Sequence, residues 1–345
     1  MSRVSRRGFL LGGLALAGGG LLAGGVALDE AWAATGPTII SCDGWGARAN
    51  RGRLPVYDRR PVKILVHHTA TANQKNTSRD AGVRLARSIQ RFHMDTRGWP
   101  DTGQHFTVSR GGFVLEGRHR SLEFVRVGRR QVEGAHCTGQ NVVALGIENE
   151  GTYSSVDPPK EQWEKLRLLC AYLCAQYGIK PTQIFGHRDF KDTACPGDRL
   201  YRALPRLRKE VAGLLGQKLA AATVSPAAWP LLRIADRGQR VLAAQHLLRD
   251  VGVSGVVPDG RFTRELADTV RAFQAEHGFV RDDSMDASQE PTGMIGGESW
   301  PALARPVRVG EGSEAEKAVE VLLQGRDLRL PDVVTPELWQ RLLTP

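Results

Sequence analysis

The chain lacks the marks of a nucleic-acid-binding protein: no helix-turn-helix, no finger spacing and no aromatic–basic RNA motif is present. That absence counts, because 47 lysines and arginines against 37 acidic residues leave a formal charge of +10, which calls for a polyanionic partner. Also missing is the short, paired Cys and His spacing with which a structural zinc site closes its shell. A third absence is a cysteine at the cleavage point of the N-terminal leader, which argues against a lipoprotein.

The leader itself is explicit. Ser5-Arg6-Arg7-Gly8-Phe9-Leu10-Leu11 is a twin-arginine motif, followed by a Gly/Ala/Leu-rich run and the small-x-small site Ala31-Trp32-Ala33. The many glycines and the cleavage site argue against a retained membrane anchor. Cleavage after Ala33 leaves about 310 residues, enough for two small domains with their own cores. The expected location is secreted or cell-wall-bound, and the twin-arginine route suits an enzyme that acquires its metal before export. An exported basic protein meets an anionic cell wall first, so the wall, not nucleic acid, is the expected partner. The product is expected to be a monomer without stable membrane insertion.

From about Pro37 to Leu215 the pattern reads as α/β. Val83, Ala86, Ile89 and Phe92 or His93 recur at helical spacing, and Gly98 ends that helix. The segments 104–108 and 112–116 read as strands joined by a hairpin turn at Ser109-Arg110-Gly111-Gly112. Residues 142–148 form another apolar strand. After Pro158-Pro159, the residues Trp163, Leu166, Leu169, Leu173 and Tyr177 mark a long amphipathic helix stopped by Gly178, and Pro205 is expected to begin a further helix. A mixed sheet flanked by helices follows.

The Ala-rich stretch 218–226 has no amphipathic period and reads as a linker. Beyond it the chain predicts a small, mostly helical domain with a weak internal repeat. Leu232-Arg233-Ile234-Ala235-Asp236-Arg237-Gly238 parallels Val307-Arg308-Val309-Gly310-Glu311-Gly312-Ser313, and the segment around Trp300 parallels that around Trp339. The predicted organisation is a leader over 1–33, an α/β domain over 37–216 and a linker over 217–230. A small helical domain over 231–304 and a degenerate repeat or packing appendage over 305–345 complete it.

Three separated residues carry the chemistry. His67 lies at the end of the apolar run Lys63-Ile64-Leu65-Val66, His187 follows Ile184-Phe185-Gly186, and Cys195 sits in Thr193-Ala194-Cys195-Pro196-Gly197. Two imidazoles and a thiolate suit zinc, and three protein ligands leave the fourth position open, which points to hydrolysis. Adjacent strand residues face opposite ways, so only one of His67 and His68 reaches a common metal. With Cys195 set aside, Cys42, Cys137, Cys170 and Cys174 allow three disulfide pairings. Cys170 and Cys174 are awkwardly placed for a mutual bridge on one helix and read equally well as buried thiols.

Trp45-Gly46-Ala47-Arg48, Val66-His67-His68-Thr69-Ala70, Phe92-His93-Met94, Arg97-Gly98-Trp99 and Glu116-Gly117-Arg118 occur in order. They are followed by Gly134-Ala135-His136, Leu145-Gly146-Ile147-Glu148, Gly186-His187-Arg188-Asp189 and the Cys195 segment. This series resembles the peptidoglycan recognition protein and type-two N-acetylmuramoyl-L-alanine amidase superfamily. Residues 236–303, with Asp259-Gly260-Arg261-Phe262, Phe273-Gln274 and Trp300, resemble a peptidoglycan-binding domain, although the 282–294 loop is longer than that pattern.

The resemblance implies a zinc amide hydrolase with His67, His187 and Cys195 as metal ligands and peptidoglycan as partner. It selects His67 over His68 and places Glu148 as the general base. His136 is implied as a cleft residue that contacts substrate, its alternative being a buried histidine bonded to backbone. His93 and His105 read as scaffold, with His105 the nearer to substrate. Two departures matter. Gln104 stands where phage and animal members carry a tyrosine before the His-Phe pair, and Gln104 cannot act as a base. Thr193 stands where some members carry a lysine, so it offers a developing oxyanion only a neutral hydrogen bond. Non-catalytic recognition relatives lose the metal-binding cysteine, and cytoplasmic recycling amidases use Asp there; the retained Cys195 and the leader oppose both readings.

Overall fold

The computed structural model describes residues 36–220, 228–281, 290–324, 326 and 331–344. The leader at 1–33, most of the 218–226 linker and most of the long 282–294 loop therefore lie outside the described residues. Eight strands are described in the α/β part: β1 Ile39–Ile40, β2 Val56–Tyr57, β3 Lys63–His68, β4 Phe106–Val108, β5 Val114–Glu116, β6 Gln131–Val132, β7 Ala144–Asn149 and β8 Ile184–Gly186.

Six of them form one mixed sheet in the order β1-β5-β4-β7-β3-β8, while β2 and β6 pair separately. Only β4 and β5, the expected hairpin, run antiparallel within the large sheet; β1–β5, β4–β7, β7–β3 and β3–β8 are parallel. Parallel strands covered on both faces become near-continuous apolar runs. This is why Ile64, Leu65 and Val66 are all fully buried although they point alternately to opposite faces.

One face packs against the helices Lys160–Tyr177 and Asp198–Leu214, gathering Ile64, Val66, Leu145 and Ile147 with Trp163, Leu166, Leu169 and Leu173. Gly178, at φ 72°, ends the first of these helices in the left-handed conformation that glycine adopts most cheaply. The second helix begins at Asp198 and carries Pro205 inside it, not at its start. The acidic Asp198 in the first turn complements the helix dipole, and the internal proline forfeits one helical hydrogen bond. All five cysteines are buried thiols, and burial pushes the Cys174 thiol up to about 12.

The opposite face carries the helix Arg79–Arg91, capped by Ser78 Oγ, and a π-helical turn over Phe92–Thr96. Leu115, Val83, Ala86, Cys42 and Trp45 form a smaller core there. Glu116 ties this region together: its two carboxylate oxygens accept the Cys42 and Leu122 backbone N–H groups at 3.0 and 2.8 Å, and its carbonyl accepts the Trp45 indole.

The C-terminal unit has its own core. Helices Gln239–Asp250, Arg264–Glu276 and Ser299–Leu303 bury Val241, Leu247, Leu248, Val270, Phe273 and Trp300, and residues 307–343 add to the same cluster through Val319, Leu322, Trp339 and Leu342. The helix Glu314–Leu323 lies on Gln239–Asp250 and is flanked in the chain by the paired strands β9 Val307–Arg308 and β10 Val333–Val334, after which comes the helix Pro336–Leu343. The two tryptophans of the segments read as parallel are set alike. Trp300 and Trp339 are both fully buried, and each indole N–H donates to a backbone carbonyl, of Pro230 and Arg305 respectively. No helix among the described residues is long and apolar enough to cross a membrane.

Candidate metal centre

In an open α/β sheet the C-terminal ends of parallel strands are where chemistry collects. Here β3, β7 and β8 lie side by side and deliver His67, Glu148 and His187 at or just beyond their ends. Side-chain alternation sorts the tandem histidines. Ile64 and Val66 face the two long helices, so His68 falls on that face and His67 on the other with Leu65. His68 Nδ1 accepts the Tyr153 N–H at 3.2 Å, and burial, with Arg188 nearby, pushes its pKa down to about 4.

His67, His187 and Cys195 come together with ligand atoms all within 4.8 Å of one another, and all three are buried. His67 Nδ1 stands 3.7 Å from Cys195 Sγ. A tetrahedral zinc with bonds of about 2.0–2.1 Å to nitrogen and 2.3 Å to sulfur holds such atoms about 3.6 Å apart, so this pair fits the ion without rearrangement. The His67 and His187 rings lie 4.5 Å apart between centroids. Burial, then the neighbouring His187 and His136, holds the His67 pKa well below its ordinary value, which keeps the imidazole neutral as metal ligation requires.

Cys195 arrives on a short loop fixed at several points. Cys195 Sγ accepts the His68 N–H at 3.4 Å, the Arg188 N–H donates to the Cys195 carbonyl at 3.1 Å, and the Arg188 guanidinium donates to the Ala194 carbonyl. Asp189 shapes the turn that carries His187: its Oδ2 accepts the Gly186 N–H at 2.8 Å and its Oδ1 accepts the Tyr201 hydroxyl. Thr193 is buried, and its Oγ1 accepts the Cys195 N–H at 3.1 Å, so it braces the ligand loop.

Glu148 sits directly across from His67 in the parallel β3–β7 register, on the same face of the sheet and 1% exposed. Neighbouring strands lie about 4.8 Å apart, which sets residue 148 beside His67 on that face. His136 lies behind His67: its Nδ1 is 3.1 Å from His67 Nε2, and its own Nε2 is 3.4 Å from the Ala144 carbonyl. With His67 bound to a metal through Nδ1, its Nε2–H donates to His136, and His136 Nε2–H donates to Ala144. The direction of donation then fixes both tautomers, as outer partners of metal-bound histidines do. Gly146 makes room for this ring, because a Cβ there would lie 2.5 Å from His136 Cγ. A glycine inside a strand is the sequence signal for such a close approach.

His105 occupies the scaffold. Its Nδ1 accepts the Gly146 N–H at 3.0 Å and its Nε2 donates to the Val132 carbonyl at 3.0 Å, so main chain holds both nitrogens. Burial pushes its pKa down to about 4. His93 is likewise internal, accepting the Gly103 N–H and packing tilted against Trp99 with ring centroids 4.7 Å apart. Gln104 donates to Thr107 Oγ1 at 2.9 Å.

The tautomer chain makes a first prediction. His136→Phe removes the acceptor for His67 Nε2–H while keeping a ring in the Gly146 cradle, and should weaken zinc binding about 10- to 100-fold. Chelator competition on the purified variant checks this, and parent-like affinity would leave His136 without that role.

Residues 57–198 match the N-acetylmuramoyl-L-alanine amidase family model, and residues 237–290 match that of a peptidoglycan-binding domain. The chain is 34% identical to the human N-acetylmuramoyl-L-alanine amidase over 163 residues, covering 46% of this chain but only 26% of the human protein. It is 32% identical to peptidoglycan recognition protein 1 of Bos taurus over 170 residues, covering 48% of this chain and 82% of the bovine one. Among solved structures, wild-type Drosophila PGRP-LB is 27% identical, with a TM-score of 0.43 over 48% of this chain and 92% of that one.

Proposed function

The chain belongs to the peptidoglycan recognition protein and N-acetylmuramoyl-L-alanine amidase superfamily, and we propose that it is the hydrolytic kind: a secreted, zinc-dependent N-acetylmuramoyl-L-alanine amidase. The observation that carries this reading is the complete His67, His187 and Cys195 set with Glu148 in register beside it. A recognition module has no use for a buried cysteine sulfur aimed at two imidazoles.

When held by His67, His187 and Cys195, zinc supplies the Lewis acidity that polarises the lactyl carbonyl and acidifies water. Glu148 takes the proton from the attacking water as its oxygen bonds to the lactyl carbonyl carbon. As the carbon–nitrogen bond breaks, Glu148 returns that proton to the L-alanine amine. His136 holds the His67 ring in one tautomer and orientation. Thr193 and Arg188 hold the backbone that carries Cys195. Gln104 cannot share the proton transfer, which leaves the carboxylate as the base.

The C-terminal unit is proposed to hold the enzyme on the wall polymer, and the twin-arginine leader to deliver the folded chain outside the cytoplasm. The protein acts as a monomer in this reading. Incubation of the zinc-loaded protein with purified walls should release new L-alanine amino termini. A chelator should stop that release without displacing the protein from the walls, and added zinc should restore it. Wall binding without amino-terminus release at any zinc level would make the protein a recognition module instead.

A further inference from the structure

The two units meet at the loop between His187 and Cys195, and the contact is built around one side chain. Asp192 is 6% exposed, and its carboxylate accepts five hydrogen bonds from the C-terminal unit. Oδ1 receives the backbone N–H groups of Gly296, Glu298 and Ser299 at 2.7, 3.3 and 3.0 Å. Oδ2 receives the Ser299 hydroxyl at 2.6 Å and the Gln274 amide at 2.9 Å. The Asp192 carbonyl accepts the Thr292 hydroxyl at 2.6 Å, and the preceding Lys191 pairs with Glu298.

The neighbouring anchors of the loop are touched from the same side. A Cβ on Gly297 would lie 2.5 Å from the Asp189 carbonyl oxygen, so the units close to backbone contact there. Arg233 of the C-terminal unit pairs with Asp198, the same carboxylate that holds Arg188 at 2.9 Å. A buried carboxylate is costly unless its lone pairs are filled. Here the unit beyond the linker fills them.

We propose that the C-terminal unit completes the metal centre: its grip on Asp192 fixes the path of residues 191–195 and so places Cys195 Sγ against His67 and His187. The inference rests on the reading of that trio as a zinc site. Only Thr193 and Ala194 separate Asp192 from the thiolate, and both are already braced by Thr193 Oγ1 to Cys195 N and by Arg188 to the Ala194 carbonyl. The segment has no slack to absorb a displacement, and metal–ligand distances tolerate only about 0.2 Å. Asp192 is thus a positioning residue, and anything that shifts the C-terminal unit on its partner is felt at the metal.

The test uses the full-length protein and two variants on opposite sides of the contact, Asp192→Asn and the double variant Gln274→Ala/Ser299→Ala. Asparagine turns an amide toward N–H donors, whereas the double variant lies wholly outside the ligand loop and removes both side-chain donors to Asp192. Zinc affinity is read by chelator competition, and ligand geometry by the visible spectrum of the cobalt(II)-substituted protein. Asp192→Asn should weaken zinc binding about 10- to 100-fold, the double variant should weaken it several-fold, and both should shift the cobalt bands. Folded variants with parent-like zinc affinity and an unchanged cobalt spectrum would overturn the proposal. Should Asp192→Asn fail to fold, the double variant decides alone. A parent protein that binds neither metal, or binds cobalt without a thiolate charge-transfer band, would sink the zinc reading itself and not merely this coupling.

Discussion

Cys195→Ser should strip the protein of its metal and bring amide hydrolysis to background while the protein still binds walls. Sulfur is the anionic member of the ligand set, and a serine hydroxyl stays protonated at neutral pH. Even an outer partner of a metal ligand is worth about 10- to 100-fold in affinity, so loss of the thiolate itself should exceed 100-fold. The loop is also held by contacts that a serine leaves in place: the Arg188 N–H on the Cys195 carbonyl and the Cys195 N–H on Thr193 Oγ1, both at 3.1 Å. The unit proposed to bind walls lies beyond residue 230, and its core contains no part of this loop. The measurements are zinc per chain, release of L-alanine amino termini, and retention on sedimented walls. Normal turnover in this variant would end the zinc assignment.

Much of the site was legible because its parts obey local rules. Strand alternation separates His67 from His68, and the apolar runs that end at His67, Glu148 and just before His187 mark strand ends, although their parallel adjacency shows only in the fold. The hairpin around Ser109–Gly112 and the long helix stopped by Gly178 follow from turn chemistry and period in the same way. What escaped the sequence depends on contacts between distant segments. Nothing near His136 says that its ring backs onto His67; the one hint is Gly146, a glycine inside a strand, needed because an imidazole fills the place of its side chain. The helix start at Asp198 was hidden by Pro205, whose usual meaning is a first turn.

The contact at Asp192 was the least legible feature. Linker composition tells only that a segment has no packed period; it carries no information on whether the units it joins then dock. An Asp in Phe190-Lys191-Asp192-Thr193 looks like a solvated loop residue, and the four residues that supply its five hydrogen bonds are scattered over 274–299. Long-range hydrogen bonding of this kind has no period and no spacing rule to betray it.

Glu148→Gln is the second large effect, and it separates proton transfer from metal binding. Glutamine keeps the size and shape of the side chain, and residue 148 stays in register with His67 at a fully buried strand position. The trio that would hold zinc is untouched, so zinc content and wall retention should match the parent. What disappears is a group able to accept the proton of water and return it to the leaving amine, a loss that typically costs about 100- to 10,000-fold in rate. Release of L-alanine amino termini should fall by that factor, with the loss in kcat and not in KM. The fold-change also tests the two departures together: Gln104 cannot substitute as a base, Thr193 already holds the Cys195 N–H, and both ring nitrogens of His105 are tied to main chain. A variant within a few-fold of the parent would therefore leave a group of the substrate as the proton acceptor. A variant that loses zinc along with activity would instead show that Glu148 supports the metal site, and the base would have to be sought elsewhere.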